Sequence, residues 1–231
     1  VRLVGSEMCI RDRVIALGLR AGMNSSGVAT NYMDKQPELI QSNFYWHSGV
    51  QVGAIADLSI RKFLAIEVGL FWERHGYDAA MMAATAEEDY MGSQFTRVRY
   101  NDIHIPVLMS WRFNILPQAV WSVDLGPYFS YGLSGTKKAD SYIAFGEEDG
   151  QLVFDHNISN QKYFKADPKD FLAVNRFDAG LKVGTGLAFF SHYTISVYYQ
   201  RSVKNNAKDF DGGADYRLRN CSWSVNIGYN F

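Results

Sequence analysis

The sequence predicts an all-β protein, an eight-stranded antiparallel up-and-down transmembrane β-barrel. Three observations carry that expectation. Apolar and polar residues alternate with a period of two over long stretches, most completely across Asn101–Leu133. Long polar connections alternate along the chain with short ones. Glycines crowd one face of the alternating segments, and bulky apolar side chains take the other. A period of two means extended strands, because successive side chains point to opposite faces. An even strand number, with short turns at one end and long loops at the other, is the pattern of a barrel that crosses a membrane. Closure removes the edges that flat strands would expose.

The hairpin at Asn101–Leu133 sets the pattern. Ile103, Ile105, Val107, Met109, Trp111 and Phe113 share one face of its first arm, against Asp102, His104, Pro106, Leu108, Ser110 and Arg112. After the break N-I-L-P-Q-A, its second arm sets Trp121, Val123, Leu125, Pro127, Phe129, Tyr131 and Leu133 against Ser122, Asp124, Gly126, Tyr128, Ser130 and Gly132. Each arm is long enough to cross a bilayer at a tilt. In chain order, the same alternation predicts strands over Val14–Asn24, Gly49–Ile60, Phe63–Arg74, the two hairpin arms, Arg176–Phe189, Tyr193–Lys204 and Arg217–Phe231. Arg61–Lys62 and Phe190–His192 read as tight turns. Ser25–Phe44, His75–Val98, Gly135–Asn175 and Asn205–Tyr216 read as long loops, and the run A-A-M-M-A-A-T-A-E-E in the second of them as room for a short helical turn.

Composition bounds the rest. A length of 231 residues suits one barrel or one to two ordinary domains, and a net charge of −1 gives no support for nucleic acid as a partner. Mean hydropathy is −0.18, and no apolar run approaches the roughly 20 residues of a spanning helix. Spanning strands alternate, so averaging does not see them. Leu3–Arg13 (L-V-G-S-E-M-C-I-R-D-R) resembles a translated sequencing adapter. Residues 1–13 are therefore expected to be a non-native leader and 14–231 a single barrel domain, the export signal lost with the native start. Setting Cys9 aside with that leader leaves Cys221 alone, with no disulfide framework to infer.

Alternation by itself fits either a membrane barrel or a soluble, lipocalin-like carrier. Glycine decides between them, since it weakens a strand exposed to water but suits the cramped interior of a small barrel. Aromatics add to this. Trp111, Phe113, Trp121, Phe189, Tyr193, Tyr229 and Phe231 gather at the short-turn end of the apolar face, as a girdle at the headgroup level does.

The segment I-H-I-P-V-L-M-S-W-R-F is similar to the L-x-I-P-L-L-L-K strand of PorT-like outer-membrane β-barrel proteins of Gram-negative bacteria. The following V-D-L-G-P-Y-F-S-Y-G-L-S-G resembles that family's next strand, with its G-P pair. His104 and Ser110 depart from the motif strand's usual polar residues. The resemblance covers essentially everything after Arg13. It implies a Gram-negative outer-membrane location and a last strand read by the barrel-assembly machinery. Most of the family is uncharacterised, and one member supports a protein-secretion system.

The face opposite the apolar one carries Arg20, Asp57, Glu67, Glu73, Asp102, His104, Arg112, Asp124, Asp178 and Lys182. In a narrow lumen such charges must pair, because an isolated buried charge costs several kcal/mol or more. Arg112 is expected within diagonal reach of Asp124, and the acidic pair Asp57 and Glu67 to need a cation such as Arg20. The expected result is a salt-bridged plug; an ion or proton path is the sharper alternative. Asp102, His104 and Ser130 could form a nucleophilic triad if His104 faces Ser130, which would make a small outer-membrane enzyme acting on lipid or peptide. No G-x-S-x-G, H-E-x-x-H or D-x-[DN]-x-[DN]-G occurs, so no catalytic residue, metal or cofactor is expected. The expected role is non-enzymatic, structural or binding. The lipid bilayer is one partner, and a protein at the extracellular loops, as in a secretion or uptake complex, is another.

Overall fold

The computed structural model describes residues 15–31, 39–85, 90–148, 151–165, 173–208 and 216–231. The expected leader at 1–13 lies outside them. Nine strands are described: β1 (Ile15–Thr30), β2 (Leu39–Arg61), β3 (Leu64–Thr85), β4 (Tyr90–Leu116), β5 (Ala119–Glu148), β6 (Gln151–Lys162), β7 (Phe177–Phe189), β8 (Tyr193–Ser202) and β9 (Leu218–Asn230). Every pairing is antiparallel. The sheet closes into a ring, since β1 pairs with both β2 and β9 while β4 pairs with both β3 and β5. Among the described residues β6 pairs with β5 alone, so it stands beside the ring rather than in it.

The short connections fall within one residue of where the sequence places them, the first being shifted from Arg61–Lys62. Lys62 and Phe63 turn β2 into β3, Pro117 and Gln118 turn β4 into β5, and Phe190–His192 turn β7 into β8. In the last of these Phe190 and Ser191 both have positive φ, at 50° and 63°. This is the left-handed geometry that lets a tight hairpin follow the strands' own twist.

The long connections are another matter. Residues expected to form loops continue the sheet instead: β3 runs to Thr85, β4 starts at Tyr90, β5 runs to Glu148, and β6 is new. The helical turn expected around Ala79–Glu88 is strand as far as Thr85, with Ala79 to Ala84 in register with both β2 and β4 or with β4 alone. Ladder hydrogen bonds on its flanks override the helix preference of alanine and methionine. A strand of 27 residues such as β4 far exceeds the roughly 9–11 needed to cross the hydrocarbon layer, so the surplus stands in water.

Side-chain orientation settles which face meets lipid. Leu17, Leu19, Val52, Leu70, Ile105, Leu125, Phe129, Leu181, Val183, Val225 and Ile227 are exposed, whereas Arg20, Asp57, Glu73, Asp102, Asp124, Asp178 and Lys182 are buried. This is an inside-out arrangement relative to a soluble barrel, and it rules out the carrier alternative. The outward face turns polar beyond Ile103 and Leu133, where the register brings Arg97 opposite Lys138. A bulge at that boundary gives β5 one extra residue, as Asp102 pairs with Gly132 but Asn101 with Ser134. Leu133 and Ser134 are consequently both exposed, and the parity of β5 reverses above them.

Candidate functional site

The lumen holds two tiers of charge beneath an aromatic cap. In the tier near the short turns, Arg112 donates to Asp57 Oδ2 across the lumen. The expected diagonal placement of Arg112 and Asp124 holds, but the hydrogen bond of Arg112 goes elsewhere. The register sets Asp124 opposite Ser110 and Arg112 opposite Ser122, and the long guanidinium side chain spans to β2 instead. Asp124 Oδ2 accepts from Tyr198 at 3.0 Å and Ser122 at 3.2 Å. Tyr198 reaches it by lying flat over Gly184, where an added Cβ would come within 2.2 Å of the Tyr198 ring. Arg20 donates to Asn230 Oδ1 at 2.8 Å and feels the charges of Glu67 and Asp57, so it is near the acidic pair without a hydrogen bond to it. Glu67 is half-buried.

The upper tier gathers Glu73, His75, Asp102, His104, Asp178 and Lys182. Glu73 and Asp102 are opposite each other in the β3–β4 register. His75 Nε2 lies 2.8 Å from Glu73 Oε2 and 3.6 Å from Asp102 Oδ1. Lys182 Nζ approaches Glu73 Oε1 at 3.9 Å and His104 Nε2 at 3.4 Å, with the Phe71 and Tyr198 rings on either side. Asp178 is held by neutral donors: Ser202 Oγ at 2.6 Å, Asn220 Nδ2 at 3.0 Å and Tyr128 at 3.5 Å. Buried carboxylates supplied with this many donors are tolerated where lone ones are not.

The suggested triad does not assemble. His104 and Ser130 are register partners, but His104 Nδ1 has no hydrogen-bond partner and its Nε2 faces Lys182. The His104 ring instead packs on Tyr128 at 4.7 Å and receives the Lys182 ammonium. A serine without a hydrogen bond to the base lacks the arrangement that activates it.

Above the upper tier, a 3-10 turn at Tyr163–Lys165 folds Tyr163 and Phe164 into the mouth. Tyr163 is buried, stacks on Tyr100 at 5.4 Å and shares a 3.1 Å hydrogen bond with Tyr77. Phe164 meets Tyr100 edge-on at 5.8 Å and lies 5.4 Å beneath the Arg176 guanidinium. Arg176 in turn donates to the carbonyls of Gly132 and Leu133, pinning the cap beside the bulge. A cavity of about 30 Å³ remains underneath, reached by His75, Asp102, His104 and Asp178 among others. It has room for about one water.

Sequence patterning assigns His75, Tyr77, Tyr163 and Phe164 to loops and leaves Tyr100 outside any element. A signal was present for His75, Tyr77 and Tyr100, because Glu73, His75, Tyr77, Ala79 and Met81 keep the period of two past Arg74, as do Tyr100 and Val98 before Asp102. The aromatics expected at the interface do collect by the short turns. Phe113 opposes Trp121 in register with rings 5.4 Å apart, Tyr193 is 5.6 Å from Tyr229, and Tyr229 is 5.5 Å from Phe231. Phe189 pairs with Ala119 and Tyr193 at the same end, and Trp111 with Leu64 and Val123. In the outer hairpin, Asp140 accepts from His156 at 2.6 Å.

Among solved structures, the chain is similar to Ail, the attachment invasion locus protein of Yersinia pestis, at 16% identity over 94% of this chain and 99% of that one, with a TM-score of 0.37. It is also similar to the outer membrane protein OprG from Pseudomonas aeruginosa, at 11% identity over 94% and 95% of the two chains, with a TM-score of 0.45. Neisserial surface protein A matches at 10% identity over 93% and 97%, with a TM-score of 0.36. No curated protein sequence matches the chain. The family model of the outer membrane protein β-barrel domain matches residues 6–208, and the chain therefore belongs to that family, a β-barrel of the Gram-negative outer membrane.

Proposed function

We propose that eight strands, β1 to β5 and β7 to β9, cross the outer membrane, with short turns in the periplasm and long hairpins outside. The barrel is a non-enzymatic binding protein of the PorT-like type that engages a protein partner through those hairpins, as an accessory to a secretion or uptake complex. Residues 14–231 form this single domain after a non-native leader, and β9, with Tyr229 and Phe231, is the strand that the barrel-assembly machinery reads. The ten charged and polar lumen residues named from the sequence act as a plug, and the seven aromatics near the short turns anchor the barrel at the headgroups.

One observation carries the binding role. The β5–β6 hairpin rises past the point where the outer face turns polar, yet exposes Tyr142, Phe154 and Ile158 at 52%, 74% and 70%. Apolar side chains in water beyond the lipid band are what a partner would cover. The test replaces residues 140–158 with a two-residue turn and applies a membrane-impermeant crosslinker to intact cells. A protein crosslinked to the wild type is expected to disappear in the variant, while the barrel keeps its heat-shifted migration. Equal crosslinking by both forms would refute the hairpin as the binding element. In planar bilayers the same wild-type protein is expected to give no steady open channel, and conductance of defined size would overturn the plug.

A further inference from the structure

The geometry points to a binding site for one first-row divalent cation, of the zinc or manganese kind, in the upper lumen. Its ligands are Glu73 Oε2, His75 Nε2 and Asp102 Oδ1.

The three ligand atoms lie within 4.8 Å of one another, and all three residues are buried. Metal–ligand bonds of about 2.0–2.2 Å set neighbouring ligand atoms roughly 2.9–3.6 Å apart in tetrahedral or octahedral geometry. Two of the separations, 2.8 Å from His75 to Glu73 and 3.6 Å from His75 to Asp102, are already close to that range. The third, from Glu73 to Asp102, lies within 4.8 Å, so the site is nearly formed in the barrel wall.

Charge and unmet bonding point the same way. Glu73 and Asp102 oppose each other directly in register, where like charges repel unless a cation lies between them. Asp102 is 5% exposed and its Oδ1 has no hydrogen-bond partner, although both Asp102 and His75 reach the cavity beneath the cap. Two carboxylates and a neutral imidazole carry a charge of −2, which a divalent ion cancels. Binding displaces the proton on His75 Nε2 to solvent and leaves the ring's lone pair on the metal.

The surroundings behave as an outer shell. Lys182 faces the other oxygen of Glu73, Oε1, at 3.9 Å, which leaves Oε2 to the ion. Gln200 Nε2 lies 3.4 Å from Oε2 and orients it. Such outer partners fix ligand orientation. Mixed imidazole and carboxylate donors suit zinc and manganese better than the all-oxygen sets that calcium takes. The aromatic cap above makes this a holding site rather than a transit point, with remaining coordination positions filled by water from the cavity.

The test uses the full chain in detergent, stripped with a chelator, incubated with zinc and passed through gel filtration. One zinc per chain is expected by elemental analysis. His75→Gln and Asp102→Asn are each expected to weaken binding by about 100-fold or more, the upper end of what loss of even an outer-shell partner costs. His156→Gln, in the exposed hairpin, should leave it unchanged. X-ray absorption on the wild type needs no variant to fold, and should show a nitrogen and oxygen shell with a single imidazole. No stoichiometric zinc, a sulfur ligand, or unchanged affinity in folded His75→Gln protein would overturn the site.

Discussion

Gly132→Ala probes the cap with a single methyl group. A Cβ at this position would lie 2.1 Å from Phe164 Cζ, 2.4 Å from Cε1 and 2.7 Å from Cε2. The contact falls on the far end of a side chain from a 3-10 turn, not on a strand of the ring, so Phe164 gives way and the barrel does not. Leaving its seat costs Phe164 two ring contacts, with Tyr100 at 5.8 Å and Tyr163 at 5.1 Å, and the Arg176 guanidinium at 5.4 Å. With about 0.5–1.5 kcal/mol for each ring pair and about 0.5–1 kcal/mol for the cation–π contact, the expected loss is roughly 1.5–4 kcal/mol. Urea unfolding in lipid vesicles, followed by tryptophan fluorescence, reads this as a lower midpoint at constant slope. The decisive measurement is a double-mutant cycle with Phe164→Ala. If the methyl group acts through Phe164, Gly132→Ala should cost almost nothing in the Phe164→Ala background. An equal cost in both backgrounds would refute the account and place the strain in the ring itself.

Three further outcomes follow from the described contacts. Asp57→Ala strands the Arg112 guanidinium in the lumen and should destabilise the barrel by about 2 kcal/mol, below the roughly 3–5 kcal/mol of a fully buried pair because Arg112 is 26% exposed; replacing both residues by Asp57→Leu and Arg112→Met should recover most of the loss, by the same urea assay. Ser191→Gly, at φ 63°, should stabilise the β7–β8 turn by about 1 kcal/mol, since glycine bears no left-handed penalty. Trp121 should be quenched most strongly by lipids brominated near the headgroup and least by those brominated at the chain ends, and the reverse order would remove it from the interfacial girdle.

How far the sequence could be read depended on what surrounds each strand. Inside the lipid layer the outward residues are largely apolar and most inward ones small or polar, Leu108 excepted, so the alternation through Ile103–Phe113 and Trp121–Leu133 is nearly complete and the strands are visible. Beyond it the outward face turns polar while the inward one buries Tyr77, Ala79, Met81 and Val98, so the apolar-outward contrast is lost, and β3 past Arg74, β4 as far as Val98 and all of β6 read as loop. Pairing still continues there because a backbone already in register satisfies its hydrogen bonds by extending the ladder.

The chain's own order of residues determined the strands in the membrane, their direction, the lipid-facing side and the crowding of charge within. Those are properties of a period of two, and each strand carries it alone. Tertiary structure decided who meets whom across the lumen: Arg112 with Asp57 on β2, Lys182 of β7 with Glu73 of β3, and Tyr163 with Tyr77 and Tyr100 at the mouth. Partners facing each other through the interior of a closed sheet are joined by its curvature and stagger, which no local pattern records.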